Sequence, residues 1–244
     1  MKLLILVLAI AYCTATGGHG QLFDTSAAQT ELVATLMGPG RVFTANVTVK
    51  REKGEKQITL ANNVMFMRNG DICLEHKLVD DPALAKLTTR LKRNHLDEIT
   101  TILLARDNKA CLLFPGKHTY IVSPSEQTAA PHIESTLLRT ETIAGHLCTV
   151  RRINVTGEDD SCQQLTIWEA TDLRGFIIKS KMNLGDDTNE ILLFTNIRTE
   201  KPDDAKFAIP PDYSKLSEKS AAEIAKLMLE VDLERDAAIA EALR

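Results

Sequence analysis

The chain has 244 residues, 44% of them hydrophobic and 25% charged, with a formal net charge of −4. That apolar content suffices for one core of ordinary domain size, and the charge excludes a broad basic footprint for nucleic acid. Aromatic residues make up only 5%, too few for platforms that stack bases or sugars.

The first residues, MKLLILVLAIAYCTATGGHG, follow the order of a secretory signal peptide. Lys2 is followed by an apolar run at residues 3–11 and by small residues at 14–18. The run is too short to cross a bilayer. Residues 1–17 are therefore read as a signal peptide, and the mature chain as exported, periplasmic or extracellular, without a transmembrane span. Cys13 would allow a lipid anchor, although Tyr12 stands where such a signal wants a small side chain.

Residues 24–37 suit a helix ended by Gly38-Pro39-Gly40. From residue 42 the pattern alternates. Phe43, Ala45, Val47 and Val49 point one way, and Thr44, Asn46 and Thr48 the other. Ile58 and Leu60 begin a second strand, and Asn69-Gly70 is a strong hairpin signal. At 80–96 the period changes. Asp81 can cap, Pro82 fits a first helical position, and Leu84, Leu87 and Leu91 share a face. Strands resume over 100–122 with turns at Asp107-Asn108 and Pro115-Gly116. Residues 123–136, polar and holding Pro124 and Pro131, read as a loop. A strand, an acidic turn and a strand fill 145–170. The segment RGFIIKSKM sets Phe176, Ile178 and Met182 against Lys179 and Lys181, and Gly185-Asp186-Asp187 turns it back. So many strands with so few crossovers predict a mainly β, α+β fold, in which an antiparallel sheet curls and helices cover its apolar face.

ETIAGHLCTVRRINV, LTIWEATDLRGFIIKSKM and NIRTEKPDDAKFAIPPDYSKL occur in that order, and the last carries F-x-I-P-x-x-Y. In this order the chain resembles the LolA/LolB-like superfamily, over roughly residues 41–215 and best over 141–215. The resemblance implies an unclosed antiparallel half-barrel at 21–215 with helices on its concave side. It also implies a cavity that holds acyl chains in the carrier members.

Alternation picks Val47, Val49, Ile58, Leu60, Phe176, Ile178 and Met182 as candidate lining, on either face of any one strand. Trp168, flanked by Glu169 and Asp172, joins them as a candidate for binding. No G-x-S-x-G, S-x-x-K or Gly-rich phosphate loop is present. His146 and Cys148 share a strand face, but no spacing supports a metal site with His76 or His118. The expectation is a non-enzymatic protein without cofactor or metal, which binds a lipid, an acyl chain or a lipidated protein. An interaction or sensor module with a closed core is the alternative.

Two further expectations concern the cysteines and the tail. Cys148 and Cys162 flank the acidic turn and form a candidate disulfide. A tight turn sets Cys162 opposite about residue 155, so the bridge requires a bulge or a wider loop; free buried thiols are the alternative. Residues 216–244 read as an amphipathic C-terminal helix, with Ser220 and Glu223 as a capping box and Ile224, Leu227, Met228 and Val231 as its apolar side. It would dock on the open face of the half-barrel or pair with another copy.

Overall fold

A computed structural model describes residues 32–38, 40–79, 81–124, 132–156 and 162–244. The expected signal peptide, most of the first expected helix and the acidic turn at 158–160 lie outside them; residues 32–37 are helical.

Among the described residues twelve strands form one sheet. They are β1 (Val42–Lys53), β2 (Lys56–Arg68), β3 (Asp71–Lys77), β4 (Glu98–Leu104), β5 (Lys109–Phe114), β6 (Thr119–Pro124), β7 (His132–Ile143), β8 (His146–Thr156), β9 (Cys162–Ala170), β10 (Phe176–Gly185), β11 (Thr188–Arg198) and β12 (Ser214–Lys215). Their order is β12-β6-β5-β4-β3-β2-β1-β11-β10-β9-β8-β7. Two meanders, β1–β6 and β7–β11, thus meet where β1 pairs with β11. The sheet curls without closing. Every pairing is antiparallel except that of β12 with β6.

The turns follow local chemistry. Asn69 and Gly70 both take positive φ, 50° and 90°, as the two-residue hairpin between β2 and β3 requires. Gly116 sits so close to His95 that an added Cβ would lie 2.9 Å from the His95 Cβ.

Besides the helical residues 32–37, two longer helices among the described residues accompany the sheet, α1 (Ala85–Arg93) and α2 (Glu218–Ala242). The turn before α1 is capped as expected, the Ala83 amide donating to Asp81 Oδ1, and Leu84, Leu87 and Leu91 are buried. The cap of α2 is Ser217, whose hydroxyl accepts from the Ser220 amide. The expected box at Ser220 and Glu223 therefore lies inside the helix, one turn late. Residues 132–136 are also corrected: they open β7 and are not loop.

The main core lies between the concave face and the helices. Val33, Val47, Val49, Leu91, Ile167, Phe176 and Leu192 belong to one continuous apolar cluster with Val231, Ile239 and Leu243. The cluster thus joins α2 to the sheet.

A second cluster lies on the outer face of β2–β6: Phe66, Cys73, Ile102, Cys111 and Leu113 under Phe207. There the segment after β11 crosses the sheet. Arg68 stacks its guanidinium 4.2 Å from the centre of the Phe207 ring and pairs with Asp204. Pro210 and Pro211 donate no backbone hydrogen bond, so sheet pairing resumes only beyond them, where the Ser214 amide donates to the His118 carbonyl at 2.9 Å. The aromatic stretch therefore lids the outer face before β12 joins β6.

Candidate binding site

Every residue chosen as candidate lining is buried: Val47, Val49, Ile58, Leu60, Trp168, Phe176, Ile178 and Met182 all belong to the main cluster. Phe176 is central among them, its ring edge-on to Phe43 at 4.8 Å and to Phe194 at 5.8 Å. Trp168 carries the Lys179 ammonium 4.5 Å above its ring. Glu169 accepts from Arg151 across the β8–β9 hairpin at 2.8 Å.

Among these apolar residues lies a polar patch that sequence reasoning missed. Arg51 on β1 is buried, and its Nη2 donates to Glu190 Oε2 on β11 at 2.8 Å. The Arg51 Nη1 reaches Asp236 of α2 at 3.3 Å. Asp232 and Arg235, also buried, lie 3.7 Å apart on the same helix. The buried stripe of α2 thus runs Val231, Asp232, Arg235, Ile239, with two charges between the aliphatics. Burial pushes the Glu190 carboxyl above the usual carboxylate range, and the facing Arg51 guanidinium opposes this. Burial likewise draws Arg235 below its ordinary value, with Asp232 opposing.

The signal for this patch was in the alternation. Arg51 falls in the inward phase of Val47 and Val49, and Glu190 in that of Leu192 and Phe194.

Asn63, opposite Val47 on β2, is 2% exposed. Neither of its amide atoms meets a hydrogen-bonding partner among the described residues, and the same holds for Glu190 Oε1. At the rim, Arg90 of α1 holds Glu230 and Glu234 of α2 at 2.6 and 2.8 Å.

Two clefts of about 310 Å³ flank residues 207–209 on the outer face. One is lined by Glu75, His76, Lys206 and Tyr213. The other is more apolar, with Ile102, Leu104, Val122 and Phe207. None of the candidate lining residues borders either cleft.

The cysteine bridge is not formed. Cys148 and Cys162 are free. Cys162 pairs with Thr156, eight positions along β8 from Cys148, and at about 3.4 Å per residue no disulfide spans that length.

The histidines are spread over different partners. His146 contacts Asp172 at 2.7 Å and His118 contacts Asp212 at 2.7 Å. Among the described residues no group of three or more His, Cys, Asp and Glu side chains is placed to hold a metal ion. No helix among them is long and apolar enough to cross a membrane.

No protein-family model matches the sequence, and no curated protein matches it. Solved structures do match in fold. The chain is similar to a LolA superfamily protein from Nitrosomonas europaea, at 14% identity and a TM-score of 0.35, over 74% of this chain and 97% of that one. It is similar to the lipoprotein LppX of Mycobacterium tuberculosis, at 11% identity and 0.38, over 72% and 96%. It is also similar to a chain of the Pseudomonas aeruginosa MucA/MucB complex, at 14% and 0.39, over 78% and 62%. These are likenesses of fold alone.

Proposed function

We propose that this chain is an exported, non-enzymatic binding protein that takes up an apolar or amphipathic ligand, such as a lipid, an acyl chain or a lipidated protein, on the concave face beneath α2. The observation that carries this reading is the polar patch under the helix. A helix that only closes a core gains most from aliphatic contacts, and buried ion pairs in their place are often neutral or costly. Here Asp236 of α2 pairs with Arg51, which holds Glu190, and the buried Asp232–Arg235 pair stands on the same helix beside its buried aliphatics. Such a contact lets go with less loss of apolar burial than an all-aliphatic one.

A ligand tail that replaced Val231, Ile239 and Leu243 would regain about 0.8 kcal/mol per buried CH₂. The unpaired Asn63 amide and Glu190 Oε1 offer polar contacts for a head group. Val47, Val49, Ile58, Leu60, Trp168, Phe176, Ile178 and Met182 form the apolar bed of this proposed site.

The second reading, an interaction or sensor module, is favoured by the concave face being filled by the chain's own side chains. Titration of delipidated protein with a fluorescent fatty acid separates the two. Saturable binding at one equivalent supports the ligand reading. No binding up to the solubility limit of the probe leaves the interaction module.

A further inference from the structure

One end of the sheet is blunt, because β12 is only two residues long. The other is β7, twelve residues, of which ten are exposed. Ile133, Leu137 and Leu138 on it are 37%, 61% and 37% exposed. No proline interrupts the strand, and among the described residues no strand pairs with its outer edge, which carries backbone donors and acceptors along its length.

The register against β8 fixes which side chains share a face. Leu137 lies opposite Arg151 and Arg139 opposite Val150, so Leu138 is the extra residue of a bulge. Since β8 runs against β9 without a shift, His132, Glu134, Thr136, Arg139 and Glu141 lie on one face of β7. Ile133, Ser135, Leu137 and Thr140 lie on the other.

A second copy of β7, laid antiparallel on this edge about a two-fold axis, must set residues of one face opposite one another. With the axis at Thr136, Glu134 meets Arg139 of the second copy and His132 meets its Glu141. Symmetry makes each of these contacts twice. Ile133 then lies opposite Thr140, and Leu137 opposite Ser135. Moving the second copy two positions one way sets Glu134 against Glu141; the other way sets Glu134 against Thr136 and loses its pair with Arg139. Opposite charges across a strand pair stabilise it and like charges do the reverse. We propose that β7 is the interface with a second copy of this chain, paired antiparallel about Thr136, so that two sheets join into one.

Sedimentation velocity over a concentration series of the full chain tests this, with Glu134→Arg and Arg139→Glu made separately. Each variant alone puts like charges at two contacts, and its dimer should dissociate about tenfold more readily. Mixed in equal amounts, the two variants regain both opposite-charge contacts, so the mixture should associate like the parent chain. That recovery also shows that both variants are folded. A parent chain that stays monomeric throughout overturns the proposal. So do variants that associate as the parent does, or a mixture that remains as weak as its components.

Discussion

Replacing Arg51 by methionine is the sharpest probe of the polar patch. The Glu190 side chain is 0% exposed, and among the described residues its hydrogen bond comes from Arg51. The substitution leaves a carboxylate buried without its partner, which costs about 3–5 kcal/mol. For a chain of this size each kcal/mol lowers the melting temperature by about 2–4 °C, so a fall on the order of 10 °C is expected at neutral pH. Adding Glu190→Leu removes the stranded charge. The double variant should recover most of the loss, because an apolar pair in place of a buried ion pair is often neutral or stabilising.

The loss should also depend on pH in a defined direction. Burial raises the Glu190 pKa in the folded chain, and Arg51 opposes that rise. Without Arg51 the pKa rises further. A carboxyl whose folded pKa lies above its unfolded value contributes stability below the unfolded pKa and loses it as pH rises through the folded one. Arg51→Met should therefore lose least near pH 4 and most at neutral pH. Thermal unfolding followed by circular dichroism at both pH values measures this. A loss of under 1 kcal/mol at neutral pH, or a double variant as unstable as the single one, would refute the argument that Glu190 is held by Arg51.

Two other outcomes are expected. Cys162 is exposed while Cys73, Cys111 and Cys148 are buried, and burial pushes Cys73 up to about 12. An aromatic disulfide reagent should label Cys162 quickly in the native chain and Cys73, Cys111 and Cys148 only on unfolding; equally fast labelling of all four of these would contradict the buried positions. His76 is pushed down to about 4 by desolvation of its ring. Its imidazole signals in an NMR titration should hold their neutral position down to about pH 5. Since the unfolded side chain protonates at higher pH, this group's contribution is present above about 6.5 and is lost as pH falls toward 4; titration near 6.5 in the native chain would refute it.

Much of the fold was legible because turn residues and alternation are local signals. Asn69-Gly70, Asp107-Asn108 and Gly185-Asp186-Asp187 each sit at a hairpin. Pro82 begins the short turn that leads into α1. The stretch at 132–136 reads as loop because it is polar and follows Pro131, and an edge strand exposed on both faces offers no buried alternation to set against that. The parallel pairing of β12 escaped notice for a different reason: a two-residue strand has no period. The inward charges of Arg51 and Glu190 were in phase with their apolar neighbours, but one charge per strand cannot announce its partner 139 residues away. Nor could spacing show that Arg235 belongs to the buried stripe of α2, since only the docked helix defines which side is inside.

The place of β1 in the sheet has a kinetic consequence. Within each meander the neighbouring strands are joined by short turns, apart from the α1 segment between β3 and β4, so their pairing closes small loops and forms early. The β1–β11 ladder differs, since it brings Val47 beside Phe194 across most of the chain. Loop-closure entropy makes that seam the costly step, and it becomes affordable once both halves have already stiffened. Folding should thus proceed as two hairpin stacks that form separately and then zip along β1. The polar pair Arg51–Glu190, one strand from each half, marks where they join.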